Sequence, residues 1–135
     1  MKKLLLFVFL FTYTNLLLNA QVKYGEEILG KYVEFFSWNY SSEEYQVDEE
    51  TWVDVRILPE KDYYLVMWDE DEDSFSKIWW QHLERIDDKQ DSYETEDGRK
   101  IVFDYKHQQV WFFYDNDKLG RYKKVIVVSK IEVLN

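Results

Sequence analysis

Beyond Gly30 the chain alternates apolar and polar residues in short runs, separated by polar clusters at fairly even spacing. A period of two sends successive side chains to opposite faces of a strand, so the pattern predicts β structure. Lys31–Asn39 is the first predicted strand, preceded by a turn or short helical piece around Glu26–Gly30. Tyr40–Glu50 is polar and acidic and reads as a loop. In Thr51–Leu58, Val53, Val55 and Ile57 share one face, while Trp52, Asp54 and Arg56 share the other. Pro59–Asp62 is a turn, Tyr63–Trp68 a strand, and Asp69–Asp73 its acidic end. Phe75–Ile86 fits a helical stripe (Phe75, Ile78, Trp79, Leu83, Ile86) as well as a long twisted strand. Its place between strands decides for strand.

The remainder reads as hairpins. Asp91–Glu96 runs into Asp97-Gly98, a dipeptide that favours a type I′ turn. Arg99–Tyr105 follows, with Ile101, Phe103 and Tyr105 on one face. Lys106–Gln108 turns the chain into Gln109–Tyr114, and Asp115–Gly120 turns it again. Arg121–Val133 is a long final strand with Val125, Val127, Ile131 and Val133 on one face. About eight strands with short connections predict an all-β antiparallel meander, a closed or partly open up-and-down barrel. Such a barrel is either filled by side chains or wide enough for one small ligand. Closure also removes the exposed edges through which sheets aggregate.

The first twenty residues follow a different rule. A basic start (Lys2, Lys3), an apolar run (Leu4–Phe11) and a small residue at Ala20 form the order of a secretory signal peptide. A membrane anchor needs about 20 apolar residues, and Thr12–Asn15 interrupt this stretch. Cleavage is expected near Ala20, with residues 21–135 forming one domain in a secreted or periplasmic protein. The single Pro, the four Gly and the absence of low-complexity sequence mark no second domain. Losing Lys2 and Lys3 would leave 15 cationic side chains against 27 acidic ones, a formal charge of −12. That charge repels phosphate backbones and anionic lipid, so neither nucleic acid nor membrane is an expected partner of the processed chain. With no Cys, no disulfide can support the fold. The core must suffice alone, and six Trp supply large areas to bury.

Gly30-Lys31-Tyr32 opens the first strand. It resembles the Gly-x-Trp that opens the first strand of lipocalins and related calycin-type barrels. Tyr32 stands where those proteins carry Trp. The resemblance implies a barrel end plugged by Tyr32, with Arg121 or Lys130 packed over it, and an internal pocket for a small apolar ligand.

Catalytic patterns are absent. There is no Gly-x-Ser-x-Gly, no Gly-rich phosphate loop, and no Cys for thiol chemistry or thiolate-bound zinc. His82 and His107 lie far apart without a His-Glu-x-x-His context. No cofactor and no enzymatic activity are expected. Asp69, Asp71 and Asp73 have the spacing of the first three ligands of a calcium loop. The loop then fails, with Ser74 where Gly belongs and Trp80 where the bidentate acid belongs. An irregular Ca²⁺ site and an acidic hairpin tip are the two readings left. Asn39-Tyr40-Ser41 matches the N-glycosylation pattern.

The surplus of aromatic residues carries the functional reading. Alternation puts Trp111 and Phe113 opposite Val110 and Phe112, and Phe35 opposite Phe36. The first expectation is a secreted, non-enzymatic, lipocalin-like binding protein. It would hold a small apolar or amphipathic molecule in an aromatic cavity with Trp38, Trp79, Trp80 and Trp111 as walls. The second is an acidic interaction module that captures a basic protein, such as a cationic secreted enzyme. The third is a glycan-binding surface with a row of solvent-facing Trp and Tyr.

Overall fold

The computed structural model describes residues 22–69 and 74–134, so the expected signal segment lies outside the described residues. The described chain is all strand and turn. It comprises β1 (Glu27–Asn39), β2 (Glu44–Pro59), β3 (Tyr63–Met67), β4 (Ser76–Asp87), β5 (Gln90–Thr95), β6 (Lys100–Asp104), β7 (Gln109–Asn116), β8 (Tyr122–Ser129) and β9 (Glu132–Leu134). Each of β1 to β7 pairs antiparallel with the next, and β8 returns to pair with β1. The result is a closed eight-stranded up-and-down barrel with one extra strand, β9, against the start of β1. The segment with two templates, Phe75–Ile86, is indeed strand: β4 pairs with β3 and β5.

Five consecutive strands each send one ring inward: Tyr64, Trp80, Tyr93, Phe103 and Phe112, all buried. Trp80 stacks on Tyr93 with centroids 4.1 Å apart and planes 19° from parallel. Tyr64 lies 4.8 Å from Trp80, and Phe103 meets Tyr93 edge-on at 5.7 Å. The Trp80 indole N–H donates to the Glu60 carbonyl at 2.9 Å, so its burial leaves no polar atom unmet. The opposite wall is small-sided, with Val33 on β1, Val55 and Ile57 on β2 and Val128 on β8. Large rings on one wall and small residues on the other fill the interior.

Gly30 belongs to the small wall for a steric reason. A Cβ there would sit 2.2 Å from Val128 Cγ1 and 3.4 Å from Ile131 Cγ2. Here β1 kinks: its inward residues change from Ile28 and Gly30 to Val33 and Phe35. The facing strand kinks with it. Lys130 takes φ 54° and ends β8, and the Ile131 N–H turns to the Gln108 carbonyl. Tyr32↔Ser129 and Leu29↔Glu132 keep one register across this break.

Four expectations are corrected. The first strand begins at Glu27, so no helical piece precedes it. Tyr40–Glu50 is mostly strand, because β2 starts at Glu44 and pairs with β1 beyond the stretch that β3 joins. The hydrogen-bonded partner, not apolar alternation, holds that acidic stretch extended. The Asp97-Gly98 turn is not type I′. Only Gly98 has positive φ, and the Gly98 N–H→Thr95 and Thr95 N–H→Arg99 carbonyl bonds close a three-residue loop with a left-handed glycine. The final strand is broken at Lys130, which turns Ile131 inward while Val125 and Val127 face out.

Two outcomes follow from this interior. Gly30→Ala should cost roughly 1–3 kcal/mol by overpacking, and Val128→Ala should recover part of that loss. A urea-melt double-mutant cycle would show favourable coupling; additive losses would place the crowding elsewhere. Burial pushes the Tyr64 hydroxyl up to about 12, from an ordinary value of ~10. Burial, together with the Tyr24 hydroxyl, pushes Tyr93 up as well, and burial pushes Tyr105 the same way. Because the folded state disfavours the phenolate, this stabilisation is complete below pH ~10 and is lost as pH climbs through the folded value. Phenolate absorbance and circular dichroism followed from pH 9 upward should therefore show these tyrosines ionising together with unfolding.

Candidate functional site: an aromatic groove on the outer wall

The outer face of β7, β8 and β1 is apolar as well as the inner one. Val125–Val128 is a continuous apolar run, so alternation sends Ile126 and Val128 inward and Val125 and Val127 outward. On β7 the outward residues are Trp111 and Phe113, in register with Val127 and Val125. On β1 they are Glu34 and Phe36, in register with the same two valines. The rings cover Val125 and Val127 so well that both are buried, although neither points into the barrel.

Two recesses open on this face and share Gln109, Trp111 and Phe113. The first holds about 260 Å³ between Phe36, Tyr45, Trp111 and the two valines, with Glu34 at its side. The second holds about 490 Å³ and continues over Val102 to Lys100, Ile86 and the Asp104–His107 pair. The groove therefore has an apolar floor, a carboxylate at one end and cationic or titratable nitrogen at the other.

Its rings are held in place. The Trp111 indole N–H donates to Gln109 Oε1 at 2.9 Å, and Gln109 Nε2 donates to Ser129 Oγ at 3.4 Å. Phe113 lies 6.0 Å from Trp111 and 5.7 Å from Tyr122. The Tyr45 hydroxyl donates to the Tyr122 carbonyl at 2.7 Å, and burial raises its pKa. Asp104 is buried and accepts three bonds: from the His107 N–H at 3.1 Å, His107 Nδ1 at 2.7 Å and Gln90 Nε2 at 3.1 Å. That geometry fixes the β6–β7 turn and orients the His107 ring beside the second recess.

Of the four expected wall residues, Trp111 alone lines the groove. Trp38 adjoins it through Tyr45, 4.9 Å away edge-on, and carries the Arg121 guanidinium 4.1 Å above its ring. Trp80 is consumed in the core at 5% exposure. Trp79 points out on a different wall, 47% exposed, and shares the Lys77 ammonium with Tyr63 at 4.4 and 4.2 Å. Tyr32 is not a barrel plug. Its ring packs on Trp52, 4.8 Å away on the outer face, and its hydroxyl donates to Glu50. Lys130 reaches Trp52 and Arg121 reaches Trp38, so neither cation covers Tyr32.

Of the proposed calcium ligands, Asp69 is described, whereas Asp71 and Asp73 lie outside the described residues. Among the described residues, no three His, Asp or Glu side chains converge as a metal site. Asn39 holds its own loop: its Oδ1 accepts the Ser41 and Ser42 amides and its Nδ2 donates to Gln46. His82 contacts Asp91 and meets the Tyr93 ring edge-on at 5.2 Å.

Among the described residues, Tyr64, Trp68, Phe112 and Tyr114 surround a recess of about 220 Å³ at one end of the barrel. Phe36, Tyr45 and Val102 escaped sequence reasoning as groove residues. The unbroken Val125–Val128 run was the available signal, since a strand apolar on both faces must be covered on both. No protein-family model matches this sequence, and comparison with curated proteins and with solved structures returned no match.

The Gln109 bond generates a prediction that needs no ligand. Gln109→Ala should release the Trp111 indole at a cost of ~1 kcal/mol. In ¹⁵N NMR the Trp111 indole proton should then exchange faster with solvent, while the other indole signals stay unchanged. Unaltered exchange would mean that Gln109 does not hold the ring.

Proposed function

We propose that the protein is a non-enzymatic binding protein, acting outside the cytoplasm, whose ligand lies in the outer-wall groove. The basic and apolar N terminus supports that location. The strand count and the meander support a lipocalin-like barrel in the broad sense, with the ligand moved from the interior to the wall. The observation that carries the reading is the Trp111–Phe113 floor, preset by Gln109 and flanked by Glu34 and Lys100. An amphipathic ring suits this arrangement. One face of a sugar presents C–H groups to aromatic rings, while its hydroxyls reach the carboxylate and amide at the rim. A groove open along its length accepts successive units of a chain, so an oligosaccharide is the ligand class that fits best.

An array of neutral and acidic oligosaccharides, followed by calorimetry on the hits, tests this. Trp111→Ala should weaken binding by at least ~10-fold, about 1.4 kcal/mol. Trp79→Ala, on another wall, should leave it unchanged. Affinity should barely respond to salt, because apolar contact rather than charge holds the ligand. Equal binding by the Trp111 variant, or no oligosaccharide retained, overturns the reading.

A further inference from the structure

β2 is a strand with two unequal halves. Arg56–Pro59 pairs with β1 or its turn on one side and with β3 on the other. From Glu44 to Val55, β2 pairs with β1 only. Among the described residues no strand occupies its other edge. A closed barrel normally leaves no such edge. Among the described residues one is left open, because β3 joins β2 only at Arg56–Pro59.

The edge is exposed over Gln46–Glu50 and acidic along its length. Glu44, Asp48, Glu49, Glu50 and Asp54 lie on it, and the first cationic residue in β2 is Arg56. Asp48 and Glu50 turn to β1 and its neighbour, accepting from Ser37 and Tyr32 with Lys124 3.9 Å from Asp48, which leaves Glu44, Glu49 and Asp54 to face a partner. Val47 and Trp52, 48% and 68% exposed, add apolar contacts between the carboxylates. We propose that this edge is a docking site for an extended, Lys- or Arg-rich segment of a partner protein, which adds to the sheet as a further strand. Main-chain bonds to the unpaired N–H and C=O groups provide the attachment. The carboxylates select a basic segment, and Val47 and Trp52 select apolar residues alternating with the basic ones.

The same charges select against a second copy of this chain. Edge-to-edge pairing of two β2 strands would set carboxylates against carboxylates, in a protein of net charge −10. An acidic edge that merely prevents aggregation would refuse strands of every kind, and the test separates these two roles. The groove takes Tyr45 from β2, but its floor of Trp111, Phe113, Val125 and Val127 lies on β7 and β8, so a change at Trp111 tests the groove and not the edge.

The probe is a blocked peptide of alternating Lys and Val, about twelve residues long to match the edge. Hydrogen exchange of the full secreted protein is followed by mass spectrometry. Exchange within Tyr45–Asp54 should slow by at least ~10-fold at saturating peptide, with affinity that falls as salt rises. An equally charged Lys-Pro peptide lacks the backbone donors for a strand and should give no protection there. Glu44→Lys combined with Glu49→Lys should weaken Lys-Val binding at least ~10-fold, while Trp111→Ala should leave it intact. Absence of protection in Tyr45–Asp54, or equal protection by the Lys-Pro peptide, overturns the proposal and leaves a purely protective edge. If the double variant aggregates, the salt response and the Lys-Pro comparison on the unaltered protein still decide.

Discussion

Everything else in this structure depends on how five aromatic rings are packed against a wall of small side chains. Trp80 stacked on Tyr93, with Tyr64, Phe103 and Phe112 around them, occupies the width that an eight-stranded barrel leaves inside. The arrangement requires Val33, Val55 and Val128 opposite, and no side chain at all at Gly30. A chain without cysteine must obtain its stability from burial, and rings bury the most area per residue. The kinks at Lys31 and Lys130 belong to the same solution. They change facing on two neighbouring strands at once, so Ile28 and Ile131 stay inward on one side of the break and Val33 and Val128 on the other.

The buried rings bear on where the proposed ligand lies. Lipocalin-type barrels invite the expectation of a central cavity, but here five buried rings occupy the width, and the described recess at one end holds about 220 Å³. The aromatic surplus therefore matters where it reaches the outside. Phe36, Trp111 and Phe113 cover Val125 and Val127, giving β7, β8 and β1 apolar residues on both faces. A sheet apolar on both faces needs cover on both. The barrel covers one, and the proposed ligand covers the other.

The strand order, the meander and the inward residues of β2, β6 and β7 were legible because each alternates cleanly within one strand. Alternation failed where neighbours, not side chains, decide. Glu44–Glu50 carries little apolar pattern, yet pairing with β1 makes it strand. The break at Lys130 is set by crowding at Gly30 across the sheet, which no local pattern records. The site was half legible. Trp111 is identifiable as an outward aromatic, while Trp79 and Trp80 are both expected as cavity walls. Adjacency in a strand separates two side chains, and one is on the surface and the other in the core. His107 looked like a turn residue. Only the fold reveals that a buried Asp104 fixes it at the edge of the groove.

Charge completes the argument, because its distribution follows the same division between interior and surface. Asp91 and Asp104 are buried, but most of the acids lie outside the core and gather on the projecting half of β2 and at the hairpin ends. Asp117 illustrates what an acid does at such an end. It accepts the Leu119 and Arg121 amides and the Tyr40 hydroxyl, and the Arg121 amide leads the interactions that hold its carboxyl below the usual range. There the carboxylate meets backbone donors of its own turn. Along Glu44–Asp54 the carboxylates instead flank backbone donors that no described strand satisfies. One acid-rich composition thus serves two ends: it closes turns where local amides are at hand, and it lines the proposed docking edge where they are not.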